Sequence, residues 1–133
     1  MAVLDLIRDF IDGAPIARWL GIRVDDAAGE RTYQLTFDEA HIGNPAIRAL
    51  HGGVIAAFLE FAMQAELVAA GAGKTVASTN VSIDYLTSSR AEDMQAKVRV
   101  RRKGRRIAFL EATGWQGDET RPVAIATACI RLG

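Results

Sequence analysis

The spacing of apolar residues at the start of the chain predicts helix. Apolar side chains in residues 3–11 recur every three or four positions, with acids and one arginine between them, as in a helix with one buried face. Gly13 is suited to end this helix, and 16–20 reads as a further helical turn that ends at Gly21. Residues 1–20 are therefore expected to form an N-terminal helical segment.

The next part of the chain changes to a period of two, which is typical of strands. Residues 22–26 and 31–37 read as two strands that are joined by a hairpin loop at 28–30. Residues 38–50 follow neither period and contain a turn signal at 43–45, so this stretch is expected to be irregular.

The segment from His51 to Gly71 predicts one long helix. Its body is rich in Ala, Leu, Met, Glu and Gln, which favour helix, and Gly71 and Gly73 are suited to end it. The segment is apolar on almost every side, which indicates a helix that is buried almost all round.

The rest of the chain alternates again and predicts four strands, at 76–86, 95–103, 105–115 and 123–132. Short turns between consecutive strands favour antiparallel pairing. With 133 residues, the chain suits a single domain over 1–133. The expected fold class is α+β, in which a strongly bent antiparallel sheet of five or six strands wraps one long central helix.

Composition and charge narrow the class of protein. Lys+Arg and Asp+Glu number 16 each, and this balance argues against bulk binding of nucleic acid. The single cysteine, Cys129, excludes an internal disulfide and a cysteine-rich zinc site, and its apolar surroundings predict a buried thiol; no metal site is expected. No apolar run of transmembrane length and no signal-peptide pattern is seen, so a soluble cytoplasmic protein without membrane contact is expected.

Glu60 is the first candidate for chemistry, because it stands between apolar residues on the long helix. A carboxylate in such a place is costly unless it is paired, protonated or used in a reaction. Gln64 lies one turn further along on the same face. The alternative is that Glu60 points to solvent or to a subunit interface through a gap in the sheet.

The run His51-Gly52-Gly53 at the start of the same helix is the second candidate. Two glycines leave the free N–H groups and the positive end of the helix dipole open to a carbonyl oxygen that develops negative charge. A tight turn into the helix is the alternative. Gly52 and Glu60 are about 12 Å apart along the helix, so one thioester could touch both only if two helices run antiparallel across a dimer interface.

A basic stretch is the third feature. Seven of the ten residues from Lys97 to Arg106 are basic, and the second half clusters around a turn at Gly104. Such a patch suits a phosphorylated carrier such as coenzyme A and, less well, RNA. The alternative is a solvated edge strand protected by charge. The absence of interleaved aromatic residues disfavours stacking on nucleic-acid bases.

These segments resemble the hotdog-fold acyl-CoA thioesterases of the PaaI-like (phenylacetyl-CoA thioesterase) family. HGGVIAAFLEFAM resembles the helix signature of that family, in which an acid follows the histidine by nine residues. STNVSIDYL, RRKGRRIAFLEATGW and RPVAIATACIRL resemble, in order, its third strand, a strand pair joined at glycine, and the closing strand.

The resemblance implies an acyl-CoA thioesterase that needs no cofactor, since coenzyme A is part of the substrate. It also implies a homodimer with a shared active site, pairing as a dimer of dimers into a homotetramer, and no nucleic-acid partner. The Gly52 N–H would bind the thioester carbonyl, and Glu60 of the partner subunit would be nucleophile or general base. The other implied site residues are Gln64 and Ser78 as polar helpers, His51 and Gly53 beside the substrate, and Arg102, Lys103, Gly104, Arg105 and Arg106 around the nucleotide of coenzyme A.

One position departs from the family. The asparagine or glutamine that usually stands six residues before the histidine is replaced here by Pro45, and Asn44 lies one residue earlier as a candidate for the oxyanion site. Two other functions stay open at this point. One is a hotdog enoyl-CoA hydratase, because the residues around Asp38 and His41 resemble a hydratase motif. The other is a non-catalytic acyl-CoA-binding protein.

Overall fold

A six-stranded antiparallel sheet curves around one long helix, as the sequence predicts. The computed structural model describes residues 2–27, 29–73 and 76–132. The helices are α1 (Val3–Asp12), α2 (Pro15–Leu20) and α3 (Gly52–Ala69). The strands are β1 (Ile22–Ala27), β2 (Glu30–Leu35), β3 (Ile42–Asn44), β4 (Ala49–Leu50), β5 (Ala77–Tyr85), β6 (Met94–Lys103), β7 (Ile107–Trp115) and β8 (Ala124–Arg131).

The strand order in the main sheet is β1-β2-β6-β7-β8-β5, so β1 and β5 are its edges. Every neighbouring pair is antiparallel. The face toward α3 carries alternate buried residues, and on β7 and β8 these are mostly alanines, whose small side chains let the helix lie close to the sheet. The period of two in the sequence therefore corresponds to side chains that point alternately toward α3 and toward the outer face of the sheet.

One stripe of α3 is open, which corrects the expectation that the helix is buried almost all round. Ten of its 18 residues are buried. Gly53, Ala57, Glu60 and Gln64 share one face and are half-buried or exposed. By length and composition alone α3 would also suit a membrane span, but the sheet and α1 pack around its buried residues and make it the core helix of this domain.

The N-terminal helices cover the part of α3 that the sheet leaves free. Ile7 and Ile11 of α1 are buried, and the ring of Phe10 stacks on Phe61 of α3 with 4.9 Å between the ring centroids. Helix α2 follows after one turn, begins at Pro15 and ends at Gly21, which adopts the left-handed conformation. The predicted helical segment over 1–20 is thus two short helices, and they border the open stripe.

A network of charged and hydroxyl groups ties α3 to β2. The Arg31 guanidinium donates two hydrogen bonds of 2.9 Å to the Glu66 carboxylate, and the Tyr33 hydroxyl donates a third of 2.6 Å. These hydrogen bonds to Glu66 raise the pKa of Arg31. Burial, together with the nearby Glu66 charge, raises the pKa of Tyr33 above its usual value. No pattern in the sequence indicates that Glu66 is paired with an arginine.

The stretch 38–50 is more ordered than the sequence predicts. A short 3₁₀ helix, Glu39–His41, leads into β3, which pairs with β4 to form a separate two-stranded sheet. Gly43 of β3 passes so close to the start of α3 that a Cβ atom there would lie 2.6 Å from the His51 Cα atom. A contact this close to backbone has no room to relax, so glycine is required at this position.

Two smaller predictions change in the structure. Cys129 is half-buried on the outer face of β8 instead of being buried in the core. Strand β2 ends at Leu35, two residues earlier than predicted. In the predicted hairpin loop at 28–30, Ala28 lies outside the described residues.

Candidate active site

Three of the predicted site residues lie together where the open stripe of α3 meets strand β5, namely Glu60 and Gln64 on the helix and Ser78 on the strand. The Gln64 amide donates a hydrogen bond of 3.1 Å to the Ser78 hydroxyl of β5. The same amide lies 3.5 Å from a carboxylate oxygen of Glu60. Gln64 therefore links the carboxylate to the edge strand. Among the described residues the Ser78 hydroxyl accepts this hydrogen bond and donates none, so this group and the carboxylate together suit the binding of a water molecule.

A cavity opens beside this cluster. It has a volume of about 250 Å³ and is lined by Ile16, Ala57, Glu60, Phe61 and Gln64. Glu60 is half-buried there, with apolar side chains of α2 and α3 around its stem. The carboxylate is thus partly shielded from solvent but still reachable from the cavity. A group that acts on a substrate needs both properties.

The start of α3 presents one free backbone donor. The Gly53 N–H donates to His51 Nδ1 at 2.8 Å, and the N–H groups of Val54 and Ile55 both donate to the His51 carbonyl. Among the residues that the structure describes, the Gly52 N–H has no acceptor. The helix dipole and the geometry of the first turn therefore offer the Gly52 N–H to an incoming oxygen.

The peptide group between Gly52 and Gly53 is held at both of its ends. The Tyr85 hydroxyl at the end of β5 donates a hydrogen bond of 2.7 Å to the Gly52 carbonyl oxygen. His51 Nδ1 accepts the N–H of the same peptide group, so the proton of the His51 ring sits on Nε2. Tyr85, with its close approach to Gly52, is a site residue whose contact the sequence could not show.

The two parts of the site stay separate within one chain. The Gly52 N–H is at the tip of α3, and Glu60 is about 12 Å further along the helix axis. Strand β5 spans the same interval in the opposite sense, because Tyr85 contacts Gly52 and Ser78 contacts Gln64. One end of β5 therefore carries the free N–H, and the other end carries the carboxylate cluster.

Asn44 is used in a turn. It lies exposed at the end of β3, and its side-chain oxygen accepts a hydrogen bond of 3.1 Å from the Ala46 N–H. In the described part of the chain no hydrogen bond links the Asn44 side chain to Gly52 or to Glu60. The structure thus brings Glu60, Gln64 and Ser78 together and leaves Asn44 apart from them.

The basic stretch divides into a paired and an unpaired half. Lys97 bonds to Glu119 and Glu30, which raises the pKa of the lysine, and Arg101 pairs with Glu111. The β6–β7 turn, built around Gly104, carries the four remaining candidates. They are Arg102, Lys103, Arg105 and Arg106, all exposed, and none forms an ion pair within the described ranges.

The two groups that suggested a hydratase are structural. His41 is buried, its Nδ1 accepts the Asp38 N–H at 3.2 Å, and its Nε2 lies 3.0 Å from the Trp19 carbonyl oxygen. The Asp38 carboxylate caps the 3₁₀ helix through the Ala40 N–H. Both nitrogens of His41 are therefore bound to backbone and are not available for proton transfer to a substrate.

The chain belongs to the acyl-CoA thioesterase N-terminal domain family, because the pattern of that family matches residues 41–131. The matched region contains the tip of α3, Glu60, the edge strand and the basic turn. Among curated proteins, none matches the chain significantly.

Solved structures agree with the hotdog fold. A protein from the thioesterase superfamily is 25% identical, with a TM-score of 0.89 over 98% of both chains. A phenylacetic acid degradation-related protein from Ralstonia eutropha is 22% identical, with a TM-score of 0.75 over 95% of this chain and 98% of that one. A Bacillus halodurans protein solved with CoA is 18% identical, with a TM-score of 0.78 over 98% and 91%.

Family membership establishes the class of reaction. The chain is an acyl-CoA thioesterase domain, an enzyme that hydrolyses thioesters. The six-stranded sheet wrapped around α3 is the hotdog fold that the sequence predicts.

Proposed function

We propose that this protein hydrolyses an acyl- or aryl-CoA to the free acid and CoA in an active site shared by two chains, with the Gly52 N–H of one chain and Glu60 of the partner subunit acting on the same thioester. The observation that carries the proposal is the arrangement of β5. Its two ends hold the two halves of the site, and its outer edge is unpaired within the described residues.

Pairing of two β5 strands would complete the site. A nine-residue edge strand with free backbone groups is a template for a further strand. If two copies pair antiparallel around a twofold axis near the middle of β5, the Tyr85 end of each strand lies beside the Ser78 end of the other. The Gly52 N–H of one chain then faces the carboxylate cluster of its partner, and the sheet becomes continuous across the dimer.

The chemistry follows from these groups. The Gly52 N–H and the helix dipole bind the carbonyl oxygen and stabilise the negative charge that develops on it. Glu60 of the partner subunit either activates a water molecule or attacks the carbonyl carbon itself. In the first route the hydroxyl of the water forms the new C–O bond as the C–S bond breaks, and the proton that Glu60 took from the water passes to the CoA thiolate. In the second route Glu60 displaces the CoA thiolate and forms an acyl anhydride, and water then hydrolyses this anhydride to the free acid and the Glu60 carboxylate, releasing the proton that the thiolate takes up. Gln64 and Ser78 hold the carboxylate and the water in place.

The basic turn is the proposed site for the phosphates of CoA. It lies at the same end of the sheet as Ser78, because the Leu132 N–H binds the Arg106 carbonyl beside the start of β5. In the proposed dimer the partner's basic turn therefore lies at the same end as the Gly52 tip. CoA belongs to the substrate, so the reaction needs no cofactor, and a cytoplasmic homodimer or homotetramer is part of the same proposal.

A panel of acyl-CoA thioesters tests the proposed reaction. Release of free thiol is measured for acetyl-, hexanoyl-, phenylacetyl- and hydroxybenzoyl-CoA, and hydration of crotonyl-CoA is followed in parallel. We expect thiol release from at least one thioester and no hydration. Hydration without hydrolysis, or tight binding of every thioester without turnover, would contradict the proposal and favour a hydratase or a binding protein.

Reversing charge in the basic turn is expected to weaken binding of the nucleotide. In Arg105→Glu with Arg106→Glu, we expect KM for the CoA thioester to rise about tenfold or more with a smaller change in kcat, because phosphate contacts add binding energy away from the reacting carbon. The same acyl group on N-acetylcysteamine, which lacks phosphates, is the control. An equal loss for both thioesters would show that the turn does not bind the nucleotide.

A further inference from the structure

A second cavity adjoins the Glu60 cavity and is lined by apolar side chains. It has a volume of about 340 Å³, in the size range of small-molecule sites, and lies between α2 and the first half of α3. Its main apolar lining residues are Ile16, Trp19, Ile42, Val54 and Ala57. Because Ile16 and Ala57 line both cavities, the two meet there, and we call the second one the α2–α3 slot.

The outer wall of the slot is an aromatic ring held in a fixed place. Trp19 is 50% exposed, although large apolar side chains are usually covered. Its carbonyl oxygen is bound by the buried His41, and its ring meets the ring of His41 edge-on with 4.8 Å between centroids. Ile16, one turn earlier on α2, is 48% exposed. Two large apolar groups on a fixed backbone therefore stand over the slot, and no other described residue covers them.

The slot runs between the two halves of the site. His51 and Gly53 at the tip of α3 line one end, and Ala57 leads to the Glu60 cavity at the other. From Gly53 to Glu60 the helix advances about 10 Å. Among the described residues that line the slot, His51 is the only ionisable one, and its Nδ1 is already bound by the Gly53 N–H.

We propose that the α2–α3 slot binds the acyl group of the substrate and selects uncharged, apolar acyl groups of about eight carbons, with Trp19 and Ile16 as the residues that determine this specificity. The inference rests on the proposed function, because it needs the thioester carbonyl at the Gly52 N–H. From there the acyl chain lies along α3 toward the Glu60 of its own subunit.

The far end of the slot explains the limit on length. An extended hydrocarbon advances about 1.3 Å per carbon, given C–C bonds of about 1.5 Å, so roughly eight carbons fill the 10 Å interval. A longer chain would meet the carboxylate and amide of Glu60 and Gln64, and would remove water from them without supplying a hydrogen bond. A carboxylate on the acyl group would lose its own hydration in the apolar slot.

A chain-length series tests the slot. We expect kcat/KM to rise from acetyl- to octanoyl-CoA by up to about fourfold for each added methylene that is buried, and to level off or fall beyond octanoyl. Glutaryl-CoA, whose acyl group ends in a carboxylate, should be a far poorer substrate than hexanoyl-CoA. A flat series, or one that keeps rising to palmitoyl-CoA, would overturn the inference.

Substitutions in the wall distinguish the slot from other apolar surfaces. In Trp19→Ala and in Ile16→Ala we expect the ratio of kcat/KM for octanoyl- over butyryl-CoA to fall at least tenfold, whereas Trp19→Phe should retain most of it. Ile47→Ala is the matched control, since Ile47 is 63% exposed and lies outside the slot. Because the two substitutions are made separately, the test still stands if one of the two variants does not fold. An unchanged ratio in both folded variants would remove the assignment.

A binding measurement separates this inference from the proposed function. In the Glu60→Gln variant, octanoyl-CoA should change the tryptophan fluorescence and CoA alone should not, and Trp19→Phe in that background should abolish the change. If wild-type protein hydrolyses thioesters through Glu60 but shows neither the fluorescence change nor the chain-length profile, only the slot assignment fails. If no thioester is hydrolysed but the fluorescence change is present, the proposed reaction fails and the slot remains.

Discussion

Glu60→Gln is expected to lower kcat for thioester hydrolysis by about 10³-fold, within the range for loss of a general base or nucleophile. Glutamine has the same shape as glutamate but cannot accept a proton or attack a carbonyl carbon. The fold should be retained, because the carboxylate is half-buried and its contact within the chain is a 3.5 Å approach of the Gln64 amide. The measurement is thiol release from the best substrate of the panel, with the melting temperature recorded in parallel. Turnover within threefold of wild type would end the assignment.

Subunit complementation tests whether the site is shared. Gly52→Pro removes the Gly52 N–H, which has no acceptor among the described residues, and proline is favoured at the first position of a helix. His51 has φ −61° and ψ 133°, a conformation that a residue before proline adopts readily. Gly52→Pro and Glu60→Gln should each be inactive alone. When the two variants are refolded together, about half of the dimers contain one chain of each and have one intact site of two, so about one quarter of wild-type activity should return. A mixture as inactive as its parents would show that both groups act within one chain.

Glu66→Gln is expected to have the opposite effect, with a large loss of stability and little change in turnover by the folded protein. The substitution leaves the Arg31 guanidinium and the Tyr33 hydroxyl facing an amide in place of a carboxylate. Breaking a buried ion pair costs about 3–5 kcal/mol, and because the Arg31 side chain is 28% exposed we expect about 2–3 kcal/mol here. That corresponds to a fall in Tm on the order of 10 °C, measured at equal protein concentration because the proposed active site needs a dimer.

The two glutamates are matched controls for one another, since both lie on α3 and both change to the same residue. A further variant, Glu66→Met with Arg31→Met and Tyr33→Phe, replaces the whole network by apolar groups and should recover most of the stability, because no buried charge is left unpaired. If Glu66→Gln and Glu60→Gln melt at the same temperature, the network contributes nothing measurable to the fold.

The period of the apolar residues was enough to predict most of the architecture. Helix α3 and strands β5 to β8 lie within a few residues of the predicted bounds, because an amphipathic strand and an apolar helix each need a particular partner surface. The two strands within 38–50 were not predicted. Strands β3 and β4 are short, and they are held in place by the contact of Gly43 with the start of α3. The spacing of apolar and polar residues along the chain does not indicate that these residues are in contact.

The site was predictable in part. Glu60 stood out because a carboxylate on an apolar helix is costly to bury unless it is paired or used in a reaction. The glycine pair stood out because it exposes backbone donors. Gln64 stood out because it lies one turn from Glu60 on the same face, whereas Ser78 entered only through the family resemblance, and the structure shows the two in contact. Trp19 carried no signal, and Tyr85 appeared only within the segment that resembles the third strand of the family, since an aromatic residue in a short helix or at the end of a strand is ordinary until its neighbours are known.

The sequence by itself determined which elements form and which residues are unusual for their surroundings, since propensity and burial pattern act along the chain. The tertiary structure decided which of those residues meet. It paired Glu66 with Arg31 of β2 and left Glu60 open, although both are glutamates on the same helix, because among the described residues an arginine lies within hydrogen-bond distance of Glu66 and none does so for Glu60. Among the described residues it also left the outer edge of β5 unpaired beside the open stripe, where the proposed second copy of the chain would add its own strand.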